Sequence, residues 1–159
     1  MKKVCKGIWL YGLSGSGKTF ISKSLRKKIK NSVVVDGDIV RKHISFDLGY
    51  SKSEREIQIL RVYGIGKIII ESKKFPILST VYFNKKINEQ CKKSKILPIK
   101  VERINFFKVV KKHKTYINKK NVVGKDIFYS NFKTLIIRND NTRKFIENFK
   151  VFKSIVDQK

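Results

Sequence analysis

With 159 residues, 41% of them hydrophobic and 11% aromatic, the chain can bury a sizeable core, reads as globular rather than disordered, and is expected to form one domain spanning 1–159. Its two cysteines, Cys5 and Cys91, lie far apart without histidines at metal spacing, which argues against a disulfide scaffold or a zinc site and for a cytoplasmic setting; no apolar stretch reaches the roughly 18 residues that span a bilayer. The 38 Lys+Arg against 12 Asp+Glu leave a formal charge of +26, which has two readings, a nucleic-acid or acidic-membrane binder and a plain compositional bias; the lysines are spread along the chain without an RNA-recognition motif, zinc finger or heptad, so nucleic acid is not the expected partner.

In chain order, "KGIWLYG" (6–12) is a short apolar run that predicts a first strand. A glycine-rich turn follows, then "KTFISKSLRKKIK" (18–30), where Phe20, Ile21, Leu25 and Ile29 make a helical stripe. "SVVVDGD" (32–38) is a β-branched run of the kind found in buried parallel strands, ending in two acids. The stretch 51–74 predicts a long helix, with Ser53 and Glu56 read as the S-x-x-E capping box at its start. Gly64 and Gly66 inside it each cost about 1 kcal/mol relative to alanine, so close packing is expected there.

"FPILSTV" (75–81) predicts a third strand with Pro76 at its start, 82–95 a helix, "ILPIKVE" (96–102) a fourth strand and "INFFKVVKK" (104–112) a helix. Residues 112–133 read as a loop, "TLIIR" (134–138) as a fifth strand, and the tail from Thr142 as an amphipathic helix. Strands alternating with helices imply an α/β fold, a mostly parallel five-stranded sheet with helices on both faces.

Three of the nine glycines fall in Gly12-Leu13-Ser14-Gly15-Ser16-Gly17-Lys18-Thr19, which satisfies G-x-x-x-x-G-K-[ST]. Glycines let the backbone curl so that successive N–H groups face a phosphate, and the following helix adds the positive end of its dipole. Lys18 can reach the β- and γ-phosphates of ATP, and the Thr19 hydroxyl can hold Mg²⁺.

A phosphate cradle does not specify a reaction. GTPases usually carry N-K-x-D, whereas Asn118-Lys-Lys-Asn121 ends in an amide. A small-molecule kinase needs an acid near the acceptor hydroxyl and cations to hold an anionic acceptor. Asp36 and Asp38 stand at the carboxyl end of a strand, where ligands sit in such sheets, although a solvated turn is the other reading. Arg41, Arg55 and Arg61, three of only seven arginines, follow closely and could grip an anion bidentately.

"GLSGSGKT" (12–19), "DGDIVRKHISFDLGYSKSEREIQILR" (36–61) and "NVVGKDI" (121–127) in this order resemble the adenylylsulfate kinase family, most closely over 7–67. The resemblance implies a P-loop nucleotide kinase fold. It also implies transfer of the γ-phosphoryl group of ATP, with Mg²⁺, to the 3′-hydroxyl of adenylylsulfate, with a homodimer as a compatible assembly. By matching position, residues Gly12 to Thr19 would hold the nucleotide, with Lys18 at the transferred group. Asp36 and Asp38 would serve Mg²⁺ and the acceptor hydroxyl, Asp38 closest to the chemistry.

Arg41 and Arg55 would grip the phosphosulfate, and Tyr50, in place of phenylalanine, would stack on adenine, core packing being its other reading. Gln58, in place of asparagine, and Leu78 and Ser79 would lie near the acceptor. The family's Arg-Asp-Pro-Lys-Gly-Leu-Tyr element is here "VKKHKTY" (110–116), which keeps only Tyr116 and puts Val110 and His113 where an arginine and a lysine stand; the lid-like loop is trimmed, and Thr80 replaces a proline. These departures leave open a kinase for another small anionic or sugar-like acceptor, or a non-catalytic nucleotide- or nucleic-acid-binding relative.

Overall fold

In the computed structural model, which describes residues 5–106, 108, 114–130, 132–140, 152, 154 and 155, the apolar runs become five strands: β1 (Gly7–Tyr11), β2 (Ser32–Asp36), β3 (Phe75–Thr80), β4 (Ile96–Arg103) and β5 (Leu135–Asn139). They pair in parallel in the order β2-β3-β1-β4-β5. Strands β1 and β3 are buried at every residue, which is why they read as unbroken apolar runs rather than alternating ones. The chain leaves β1 towards one side of the sheet and crosses from β3 to β4 on the other, so a crevice opens at the carboxyl end of β1.

The helices are α1 (Lys18–Lys28), α2 (Gly37–His43), α3 (Lys52–Glu71), α4 (Lys85–Lys93) and α5 (Lys114–Asn118). Alternate residues of β1 feed two cores. Ile8 and Leu10 join Ile21 and Leu25 of α1, and Ile29 just after it, on one face; Trp9 and Tyr11 join Ile59 and Val62 of α3 and Ile87 and Cys91 of α4 on the other. Trp9 Nε1 donates to Thr80 Oγ1 at 2.8 Å, so the indole's one polar atom is satisfied inside the second core.

Helix α2 was not expected from the sequence. Asp36 ends β2 and its carboxylate accepts the Asp38 N–H at 2.9 Å, capping α2 with no linker between strand and helix. Seven residues with one buried side chain give no periodic signal. The capping box of α3 sits two residues earlier than Ser53–Glu56: Ser51 Oγ accepts from the Glu54 N–H, and the Glu54 carboxylate accepts from Ser51 N–H at 3.0 Å and Gly49 N–H at 2.7 Å. Both frames satisfy S-x-x-E, and the extra N–H of Gly49 decides for Glu54. The hydrogen bonds from Ser51 and Gly49 pull the Glu54 carboxyl below its ordinary range.

Residues 112–133 are not wholly loop, since α5 lies within them. Of the expected helix 104–112, Phe106 and Lys108 are helical, as are Phe152, Ser154 and Ile155 of the tail; Val110, His113 and most of the tail lie outside the described residues. Among the described residues no helix is long and apolar enough to cross a membrane.

The two glycines of α3 differ. A Cβ on Gly66 would come 2.9 Å from Leu78 Cδ1 in the core, whereas one on Gly64 would meet open space. Gly64→Ala is therefore expected to raise unfolding stability by about 1 kcal/mol, and Gly66→Ala to lower it by about 1–3 kcal/mol through overpacking, both read from urea denaturation midpoints.

Candidate active site

The loop between β1 and α1 is shaped by Gly17, which takes the left-handed conformation (φ 101°) as N-cap of α1 and has no room for a Cβ against the Asn139 amide. No side chain caps α1 and no acid sits in its first turn, so its leading N–H groups and its dipole face outward unneutralised. The Lys18 Nζ folds back and donates to Gly12 O at 2.8 Å and Leu13 O at 2.9 Å. Burial pulls its pKa down to about 8, an effect that the charges of Asp38 and Asp36 partly offset.

Three carbonyls of the loop are held from behind. Tyr116 Oη donates to Ser14 O (3.2 Å), Arg103 Nη1 to Gly15 O (3.3 Å) and Asn139 Nδ2 to Ser16 O (3.0 Å). Arg103 and Asn139 went unnoticed in the sequence; the available signal was their place at the carboxyl ends of β4 and β5, the edge where β2 carries Asp36.

A cavity of about 310 Å³ lies in front of the loop. Of the sequence candidates, Ser14, Gly15, Gly17, Lys18, Thr19, Asp36, Asp38, Arg41, Tyr50, Arg55, Gln58 and Ser79 line it. Gly12 and Leu13 do not, and instead turn their carbonyls to Lys18; Ser16 is buried in the loop. Leu78 also departs from expectation, being wholly buried in the core against Gly66, because alternate residues of a strand face opposite sides and its neighbour Ser79 takes the cavity.

Two arginines line the same cavity. Arg41 donates to Leu48 O (3.2 Å) and Gly49 O (2.6 Å), and Arg55 to Tyr50 O (3.1 Å) and Asn121 O (2.8 Å). Both are held by carbonyls, so their charges are oriented without being neutralised. Burial, and after it the like charge of Arg41, pull the Arg55 pKa below its usual value. Two such cations favour an anion between them.

Tyr50 is 49% exposed, which overturns core packing, and the guanidinium centres of Arg41 and Arg55 lie 4.6 and 5.3 Å from its ring centroid. Arg61 is not part of this group, because it makes a two-pronged ion pair with Asp47. Gln58 Nε2 donates to Gly37 O at 2.9 Å, between the two aspartates, while its Oε1 is buried with no hydrogen-bond partner among the described residues.

Cradle, arginines, Asp36 and Asp38 thus line one cavity. Such a set of groups can bind a polyphosphate and a second anion and supply carboxylates for phosphoryl transfer. Among the described residues no three His, Cys, Asp or Glu side chains gather. This donor set fits Mg²⁺, which takes one or two protein oxygens and fills its remaining positions with phosphates and water.

Residues 4–126 match the family model described as adenylylsulphate kinase. A probable adenylyl-sulfate kinase of Synechocystis sp. is 37% identical over 78 residues, 46% of this chain and 44% of that protein. An adenylyl-sulfate kinase of Rippkaea orientalis is 35% identical over 85 residues, 51% and 47% of the two chains. The chain spans about half the length of the curated relatives it matches. Among solved structures, the APS kinase of Mycobacterium tuberculosis in complex with AMPPNP and APS superposes with a TM-score of 0.75 at 18% identity over 96% of each chain. A sugar kinase from Janibacter sp. superposes at 0.66 and 10% identity over 95% of each. At such identities the likeness is one of fold.

The lowered Lys18 pKa has a consequence for ligand binding. An anion in the cradle favours the ammonium, so binding raises the pKa again, and at about pH 8.5 the protein should take up a proton as MgADP binds. Affinity should fall by up to about tenfold per pH unit above 8, the lysine losing its proton as pH rises through about 8. Calorimetry in buffers of different ionisation enthalpy reads the proton uptake, which Lys18→Met should abolish.

Proposed function

The chain belongs to the adenylylsulphate kinase family, and from that premise we propose that it transfers the γ-phosphoryl group of ATP to the 3′-hydroxyl of adenylylsulfate, yielding 3′-phosphoadenylylsulfate and ADP. The observation that carries this reading is the pair of carbonyl-held guanidiniums, Arg41 and Arg55, that share one cavity with Asp36, Asp38 and the Lys18 cradle. A nucleoside triphosphate alone would not need a second cationic wall, whereas an acceptor carrying a phosphosulfate does.

In this reading the inward N–H groups of the loop, the Lys18 ammonium and the α1 dipole bind the β- and γ-phosphates. Arg41 and Arg55 hold the acceptor's anion, with the ring of Tyr50 beside them to meet its base. The acceptor oxygen bonds to the γ-phosphorus, the bond to the β–γ bridging oxygen breaks with its electron pair leaving on ADP, and the hydroxyl proton passes to Asp38. Mg²⁺, held by Thr19 and Asp36, would supply neutralisation of the phosphate charge. Rate comes from placement and fixed charge rather than from a covalent intermediate. A single domain, a cytoplasmic location and a homodimer belong to the same proposal, the last to be read by light scattering.

The wild-type chain is expected to consume ATP with adenylylsulfate and Mg²⁺ in a coupled assay. Lys18→Ala and Asp38→Asn should each lower turnover by about 10²–10⁴-fold while circular dichroism and melting are retained. Turnover with a sugar or another small anion, and none with adenylylsulfate, would transfer the assignment to a kinase of that acceptor.

A further inference from the structure

The phosphate-binding loop depends on residues far from it in sequence: we propose that Arg103 and Asn139 are positioning residues for the nucleotide's phosphates, Asn139 by turning the Gly17 N–H towards the cavity and Arg103 by holding the Gly15–Ser16 peptide, whose N–H closes the curl, and by adding its charge behind the loop. This rests on the reading that the loop holds a nucleotide's phosphates, and it names the groups that set the loop's geometry.

In a planar trans peptide the C=O of one residue and the N–H of the next point in opposite directions. Holding the carbonyls of Ser14 and Ser16 on the far side therefore turns the N–H groups of Gly15 and Gly17 the other way, and both glycines line the cavity. The Ser16 N–H closes the curl on Leu13 O at 3.1 Å. Three successive carbonyls receive donors from three different elements, Tyr116 on α5, Arg103 at the end of β4 and Asn139 at the end of β5.

Arg103 and Asn139 are direct partners in the β4–β5 register. Adjacent strands lie about 4.8 Å apart, so the sheet edge sets two donors at a spacing that reaches two consecutive carbonyls of a tight curl. The fit is close: Asn139 is buried, and Gly17 leaves no space for a side chain against its amide. Arg103 also brings a full positive charge to the rear of the loop, which adds to the field felt by a phosphate in front.

The experiment is titration of MgADP into the full chain, alongside steady-state kinetics. Asn139→Ala and Arg103→Met should each weaken MgADP at least about fivefold and raise the KM for ATP by the same factor, leaving the KM for adenylylsulfate within twofold. Asn139→Asp, of equal size but with a carboxylate facing the Ser16 carbonyl, should weaken MgADP further. Arg103→Lys, which keeps a charge and a donor, should recover most of the loss. Variants that melt earlier yet bind MgADP as tightly as wild type when folded would overturn the proposal, as would equal losses for Arg103→Lys and Arg103→Met. A wild-type chain that binds MgADP without phosphorylating adenylylsulfate would sink the acceptor assignment and leave this inference to be decided by the same titrations. Failure of the wild type to bind MgADP would overturn both.

Discussion

The arrangement turns on one buried cation. Lys18 opens the first helix with its ammonium withdrawn from water and held by two carbonyls of its own loop. A charge in that position is tolerated because it donates to two carbonyls and because the charges of Asp38 and Asp36 favour the ammonium. The same arrangement requires a glycine at the helix N-cap, a first strand buried on both faces to anchor the curl, and a helix start free of acidic side chains. A capping aspartate would stabilise α1 and neutralise the site.

Asp36 shows how economically the edge of the sheet is used. It is at once the last residue of β2, the N-cap of α2 and a wall of the cavity. Capping fixes its carboxylate against the Asp38 backbone, so the two acids are oriented by a helix terminus rather than by a loop. Arg41 then leaves α2 on the side that meets the Leu48–Gly49 backbone, and α3, through Gln58, ties back to Gly37. The cations facing the cavity are held by neutral carbonyls throughout, which keeps their charge for a ligand. The formal charge of +26 acts in the same direction at long range, drawing polyanions towards the protein.

Arginines similar in sequence are sorted only in space. Arg41, Arg55 and Arg61 lie within twenty-one residues of one another and look equivalent along the chain. In the fold, Arg61 is neutralised by Asp47, while the other two converge on the Tyr50 ring. Likewise, two overlapping S-x-x-E frames compete at the start of α3, and a backbone N–H five residues before Glu54 selects between them. Leu78 and Ser79 are neighbours with opposite fates, core and cavity, because the pleat of β3 separates them.

What the sequence determined by itself is what local chemistry dictates: eight consecutive residues whose glycines and lysine make a phosphate curl, continuous apolar runs that become buried parallel strands, and acids at a strand's carboxyl end. Each of these depends on groups a few residues apart, so composition and spacing suffice to read it. Tertiary structure decided whatever joins distant segments. Arg103 and Asn139 reach the loop across 88 and 123 residues of chain, and only their place at strand ends marks them. They meet it because parallel pairing brings the carboxyl ends of all five strands to one edge, a constraint that belongs to the sheet and not to any stretch of the chain.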